Sequence, residues 1–265
     1  MKRLILSRKG FDAKAGGCAS PILPDGRFFS LPIPQYHPSP KNYADLDFDG
    51  ISGTELLKEV SAKVKPTDYC HNDPQLNDDI GIFGQASSSQ TELKNNDVSP
   101  GDLFLFFGWF RNFSIRGRDL HHLFGWLQIK EIIEGSEAIT TYLKENNITH
   151  VHGYGDTSKF SNNTIYVGKK NLQINKKNLF KRGHGLFKKT HKDLILTEVN
   201  KTRSRWKLPS KYFLDTHDLF LNRMKWENEK ESTIFYKGFG QEFILDVEKN
   251  PNVIKWVVNL IKKHG

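Results

Sequence analysis

PGDLFLFFGWFRNFSIRGRDLHHLFGWLQIKEII, residues 100–133, is the stretch that decides the fold. Pro100-Gly101-Asp102 is a turn whose glycine can take positive φ. The apolar run Leu103 to Phe107 that follows has no helical spacing and is too short to span a membrane. It therefore reads as a strand buried on both faces. Leu123 to Ile129 gives a second strand, closed by the charged Lys130 and Glu131. Joined through Arg111, Arg116 and Arg118, the two predict a hairpin at the centre of a sheet with a positively charged tip. The alternative is a core hairpin with a merely solvated loop.

Working outward, 265 residues with 37% hydrophobic and 12% aromatic content suit a strand-rich globular protein with a sizeable core. Two cysteines, Cys18 and Cys70, make neither a disulfide framework nor a four-thiolate zinc site, so a reducing compartment is expected. The apolar run Leu4 to Leu6 is far too short for a signal peptide, and no stretch is long enough to cross a membrane. A cytoplasmic protein with no membrane partner is the expectation. The net charge of +9 is unevenly spread: residues 1–99 carry −2 and the remainder +11, with 15 basic against 2 acidic residues between Lys159 and Lys211. Such one-sided charge is relieved by a polyanion, which makes a nucleotide or nucleic acid the leading partner. Lysine-rich surfaces also arise without function.

Arg3 to Ser7 reads as a first strand, Phe28 to Ile33 as another, and Thr164 to Gly168 and Phe235 to Asp246 as two more. Ser52 with Glu55 forms a capping box for a helix over Gly53 to Val64. Ser136 to Asn147 fits a second helix, and Val253 to Lys263 an amphipathic terminal one. The polar, serine-rich Gly84 to Asp97 reads as an exposed connection. No linker or repeat divides the chain, which predicts a single domain over residues 1–265.

Three clusters carry candidate chemistry. Ser7, Arg8, Lys9 and Asp12 sit where the first strand ends, the usual place for ligands on a mixed sheet. Arg8 and Lys9 would hold a phosphate, Gly16 and Gly17 would let backbone N–H groups approach it, and Asp12 would act as a base or ligand. The alternative is a surface turn closed by a salt bridge. His71 and Asp73, two apart in an extended loop, point to the same side and could share a metal or a water. No cofactor is specified, although that pair allows a divalent metal. Finally, Trp109, Phe110 and Phe113 lie among Arg111, Arg116 and Arg118, and Trp206 follows Arg203 and Arg205. Such rings stack on bases while arginines hold phosphates, or else they belong to the core. Lys176, Lys177, Lys181 and Arg182 complete the basic surface expected to meet nucleic acid. P-loop, Rossmann, HExxH and Gly-x-Ser-x-Gly motifs do not occur.

The order Gly-Asp, apolar strand, basic loop, Gly-Trp-Leu-Gln-Ile resembles the central hairpin of PUA-like barrels. SRKGFD (residues 7–12), Gly16-Gly17, SPILPDGRFFSLPIP (20–34), HNDPQL (71–76), GDLFLFFGWFR, HHLFGWLQI, YVG and GFGQEF together resemble the nucleotide modification associated domain 3 family. That resemblance implies a role in modifying DNA bases or handling modified nucleotides in bacteria and phages, with no reaction attached. It points to Ser7, Arg8, Lys9, Asp12, His71, Asp73, Gln85 and Arg111 as site candidates. The expectation is an α+β domain with a central, mostly antiparallel, partly barrel-like (PUA-like) sheet and flanking helices. It would bind a nucleotide or nucleic acid, with Asp12, His71 and Asp73 catalytic. The alternatives are a non-catalytic reader of modified bases and a nucleic-acid-binding or structural subunit of a defence system.

Overall fold

A computed structural model describes residues 1–265 except 78, 80, 214–219, 221–225, 229 and 236–239, and the side chain of residue 235. The predicted hairpin is its centre. Strands β5 (Leu103–Asn112) and β6 (Leu120–Glu134) pair antiparallel from Leu103↔Gln128 to Phe110↔Leu120. Their apolar runs are buried on both faces, as an unalternating pattern requires. On the far side of β5 lies β1 (Arg3–Arg8), parallel to it and antiparallel to β9 (Glu242–Asp246). The second half of β6 pairs with β7 (Thr164–Gly168), which pairs with β4 (Gly81–Gln85), which pairs with β3 (Gln75–Leu76). The short strands β2 (Ser20–Ile22) and β8 (His184–Leu186) attach to β5 and β6.

The order β9-β1-β5-β6-β7-β4-β3 makes a nine-stranded, mixed but mostly antiparallel sheet. It corrects one expectation: its end strands β9 and β3 are not paired to each other, so the sheet is open and not a PUA-like barrel. The reason lies in β6. Its first half is flanked by β5 and β8 and its second half by β7, with a shift of register between Ile129 and Glu131. Pairing is thereby handed from one set of strands to another instead of running round to closure. The core lies between these arms, where Phe83 of β4 and Tyr166 of β7 pack on Phe104 of β5, and Phe83 also meets Phe106.

Helices follow local rules where the sequence states them. Helix α1 (Gly53–Glu59) has the Ser52/Glu55 capping box in both directions. It ends before Val64 because Ser61 turns to φ +50°. Helix α3 (Ser136–Glu145) starts after Gly135, whose φ of +91° sets the chain's direction there. The connection predicted over Gly84 to Asp97 instead holds the end of β4 and helix α2 (Ser87–Asn95), which buries only Gln90 and Leu93. Phe28 to Ile33 makes one isolated bridge, Phe28 with Ile22, in place of a strand. After the short α4 (Ser210–Phe213), the terminal α5 (Pro251–His264) is capped by Asn250 and lays Val253, Trp256, Val257, Leu260 and Ile261 on the core. The strand expected from Phe235 lies partly outside the described residues.

The Pro-Gly-Asp turn also anchors the chain's start. Buried Asp102 accepts the Lys2 and Arg3 amides at 2.7 and 2.8 Å through Oδ1, and the Ser99 amide at 2.9 Å through Oδ2. Asp102→Ala would strand three amide donors at roughly 1 kcal/mol or more each, a loss of about 2–4 kcal/mol in denaturant unfolding. Asp102→Asn should recover part of it. A loss below about 0.5 kcal/mol for the alanine variant would contradict this role.

Candidate metal centre

The loop at His71–Pro74 meets β4 and the 3-10 turn Val151–Gly153. Asp73 is buried and its Oδ1 accepts the Gly84 amide at 2.8 Å and the His150 Nε2–H at 3.1 Å. Its Oδ2 lies 3.9 Å from His71 Nε2. One donor atom from each of His71, Asp73 and His152 falls within 4.8 Å of the other two. Gly84 makes this approach possible, since a Cβ there would lie 2.2 Å from the His152 ring.

Neighbouring amides fix the ring tautomers. Asn163 donates through Nδ2 to Ser136 Oγ and to the His152 carbonyl, so its Oδ1 must accept, and the 2.7 Å contact to His152 Nδ1 places a proton on that nitrogen. Gln35 likewise donates to the carbonyls of His37 and Pro38, so its Oε1 accepts the His71 Nδ1–H at 2.9 Å. His150 Nδ1 accepts the His152 amide, which leaves its Nε2–H to donate to Asp73. His71 and His152 therefore both present an Nε2 lone pair, and Asp73 presents Oδ2. Two imidazoles and one carboxylate, each held by an outer partner, form a donor set that suits a divalent transition metal.

Electrostatics agree. Burial pushes His71 down to about 4 despite Asp73, and His150, Lys9 and Lys159 act in the same direction. Burial pushes His152 down to about 3, again against Asp73. Both are thus neutral, as ligands must be. Burial works to raise the Asp73 pKa, but the hydrogen bond from His150 holds it below the usual carboxylate value. The His152 ring is stacked on Phe160 at 4.5 Å.

Beside this centre is a second polar knot. The β1–β9 register sets Ser7 opposite Glu242, whose Oε1 accepts Ser7 Oγ–H at 3.0 Å, Lys9 Nζ at 3.1 Å and Gln85 Nε2 at 2.6 Å. Lys9 rests over the Phe83 ring, 4.5 Å from its centroid, and its charge reaches His71. On another side, the chain from Asn72 to Gln75 forms a wall of a cavity of about 440 Å³. Phe28, Phe29, Phe48, Phe124 and Phe187 line it, with Lys41 and Lys188 also on its lining.

The structure thus brings Lys9, Ser7 and Gln85 close to His71 and Asp73, while other candidates fall elsewhere. Asp12 accepts the Lys14 and Ala15 amides through Oδ1 and lies 3.8 Å from Arg8, so its described contacts are those of a turn. Gly16, at φ +92°, leaves room for the Phe11 ring, and Gly17 continues the same turn. Arg111 pairs with Asp119, which also accepts Trp109 Nε1–H at 2.7 Å. Arg203 lies over the Trp109 ring at 4.0 Å, and Arg205 pairs with Glu227. Trp206 is fully buried and donates to His121 Nδ1 at 2.9 Å, a core position. Lys176, Lys177 and Lys181 are exposed on and beside the hairpin Leu172–Phe180, and Arg182 is half-buried. Sequence reasoning missed His150, His152, Asn163, Gln35 and Glu242. The His150-Val151-His152 spacing carried the same two-apart signal that singled out His71 and Asp73.

Burial also holds His122 at about 4 and His121 well below its ordinary value. Four histidines are therefore neutral in the folded chain at a pH where the unfolded chain binds protons. Each contributes stability that is complete above about pH 6.5 and is lost as pH falls through the folded value. Metal-free protein should lose up to about 1.4 kcal/mol per pH unit per histidine as pH falls from about 6.5 toward each folded value. Denaturant unfolding from about pH 7.5 to 4.5 reads this slope, and a flat profile would contradict neutral burial.

Among the described residues, no helix is long and apolar enough to cross a membrane. No curated protein and no solved structure matches the chain. The family model for nucleotide modification associated domain 3 matches residues 3–246, which contain the candidate metal centre, the Lys9–Glu242 knot and the cavity walled by residues 72–75. The chain belongs to the nucleotide modification associated domain 3 family.

Proposed function

We propose that this chain is a metal-assisted, nucleotide-modifying enzyme with His71, Asp73 and His152 as metal ligands. The observation that carries this is the fixed tautomer of both histidines, whose outer hydrogen bonds leave Nε2 of each free to ligate. A bound divalent metal would polarise a substrate oxygen or lower the pKa of a bound water. His150 holds Asp73 in place, and the Lys9–Glu242 ion pair stands beside the centre. The cavity walled by residues 72–75 takes the base against its phenylalanines, while Lys41 and Lys188 meet the phosphate. Its volume falls in the usual range for small-molecule sites, about 300–1,000 Å³. A site with convergent ionisable groups beside an aromatic cavity favours the enzyme over a non-catalytic reader. Asp12 supports its own turn and needs no part in this chemistry.

The test is metal content and product formation together. Untagged protein should retain about one equivalent of a divalent transition metal at this centre after dialysis. It should also change the mass of a nucleotide or of nucleosides released from DNA. Asp73→Asn should abolish both, and Asn163→Ala, which frees the His152 tautomer, should weaken metal binding by about 10–100-fold. Metal retention unchanged in Asp73→Asn would end this reading.

The exposure of Lys176, Lys177 and Lys181 favours a polymer over a free nucleotide as the carrier of the base. DNA affinity should then fall steeply with salt, and replacing these three lysines by Ala should flatten the slope by about 0.9 for each phosphate that is no longer neutralised. No affinity at low salt would leave the free nucleotide as substrate.

A further inference from the structure

We propose that His191, Asp193 and His264 form a second divalent-metal site, one that fastens the C-terminal helix α5 to the sheet. His191 begins the 3-10 turn Lys192–Leu194, and its Nδ1 accepts the Asp193 amide at 3.1 Å. That nitrogen therefore carries its lone pair. Yet it also lies 3.3 Å from Asp193 Oδ2, so two acceptors face each other, an arrangement that a cation between them relieves. His264, in the last turn of α5, brings Nε2 to 3.2 Å from the same oxygen. The two imidazole rings lie 4.5 Å apart, and one donor atom from each of the three residues falls within 4.8 Å of the other two.

The oxygen already attracts positive charge. Lys263 Nζ sits 2.7 Å from Asp193 Oδ2, on a side chain that is 60% exposed and free to swing into water. Two imidazoles and a carboxylate suit zinc or a similar borderline cation, and the half-exposed position gives it access. The ligands come from segments some seventy residues apart in sequence, so the metal would act as a cross-link. The strap is tied onward to β6 by Thr190, whose hydroxyl bonds His122 Nε2 at 2.9 Å.

Zinc titration into the untagged full-length chain, followed by calorimetry and thermal unfolding, tests this. His264→Ala and Asp193→Asn should each remove one equivalent and the zinc-induced rise in Tm that goes with it, and His152→Ala should spare both. Lys263→Ala leaves all three ligands in place and removes a competing charge, so it should tighten zinc binding by about tenfold or more. If His264→Ala and Lys263→Ala both bind zinc as the wild type does, the cluster is an ion-pair network and the proposal falls. A single equivalent that disappears in His152→Ala overturns it equally. A single equivalent absent in His264→Ala and kept in His152→Ala upholds this site and removes the one at His71.

Discussion

The Asp73 carboxylate is the constraint on which the centre depends. One of its oxygens accepts two donors, the Gly84 amide of β4 and the His150 ring, and so fixes a loop, a strand and a 3-10 turn relative to one another. The other oxygen is thereby directed toward His71. A buried carboxylate without such donors would protonate and lose its ligand character, so the hydrogen bonds that position Asp73 also keep it ionised. Gly84 is the steric half of the same arrangement, because any side chain there would displace His152.

A second buried charge pair stands at the meeting of β1, β9 and β4. Lys9 and Glu242 have side chains 11% and 1% exposed, so the pair is almost dry. Desolvation makes such pairs poor sources of stability against an apolar replacement, yet costly to break once formed. What this one supplies is register: Glu242 Oε1 collects donors from the end of β1 and from β4, and slipping β9 by one residue would turn that carboxylate to the other face. Registry here and ligand geometry at Asp73 rest on separate contacts that meet on β4, at the neighbours Gln85 and Gly84.

Much of the fold was legible because its signals are local. The apolar runs of β5 and β6, the Ser52/Glu55 box and the apolar stripe of α5 each state their structure within a dozen residues. Helix α2 was not legible: it has no side-chain N-cap, starts from a Ser87 at φ +57°, and buries only two residues, so its polar serines resemble a loop. The barrel expectation failed because closure depends on which strands pair at the two ends, and no single hairpin encodes that. At the site, His71 and Asp73 stood out by spacing. His152 needed the fold to bring it across from a segment eighty residues away, and Glu242 became meaningful only through its register with Ser7.

Strand alternation explains why the N-terminal motif divides. Neighbouring residues at the end of a strand face opposite sides of the sheet, so Arg8 and Lys9 diverge and cannot grip one phosphate together. Lys9 goes to the face of Phe83 and His71. Arg8 goes to the other, where its charge and that of Arg203 help keep His121 neutral, after burial itself. Phe106 and Phe107 repeat the split on β5, the first packing with Phe83 and the second with His121 and Trp206. The sheet thus presents two faces of different character. One holds a lysine locked to Glu242 beside the buried, neutral His71 and His152. The other gathers Arg8, Arg203 and the Trp109 ring nearer the surface, where charge acts by attraction. The two cations that are adjacent in sequence therefore stand in separate surroundings, Lys9 against Glu242 and Arg8 beside Asp12 and His121.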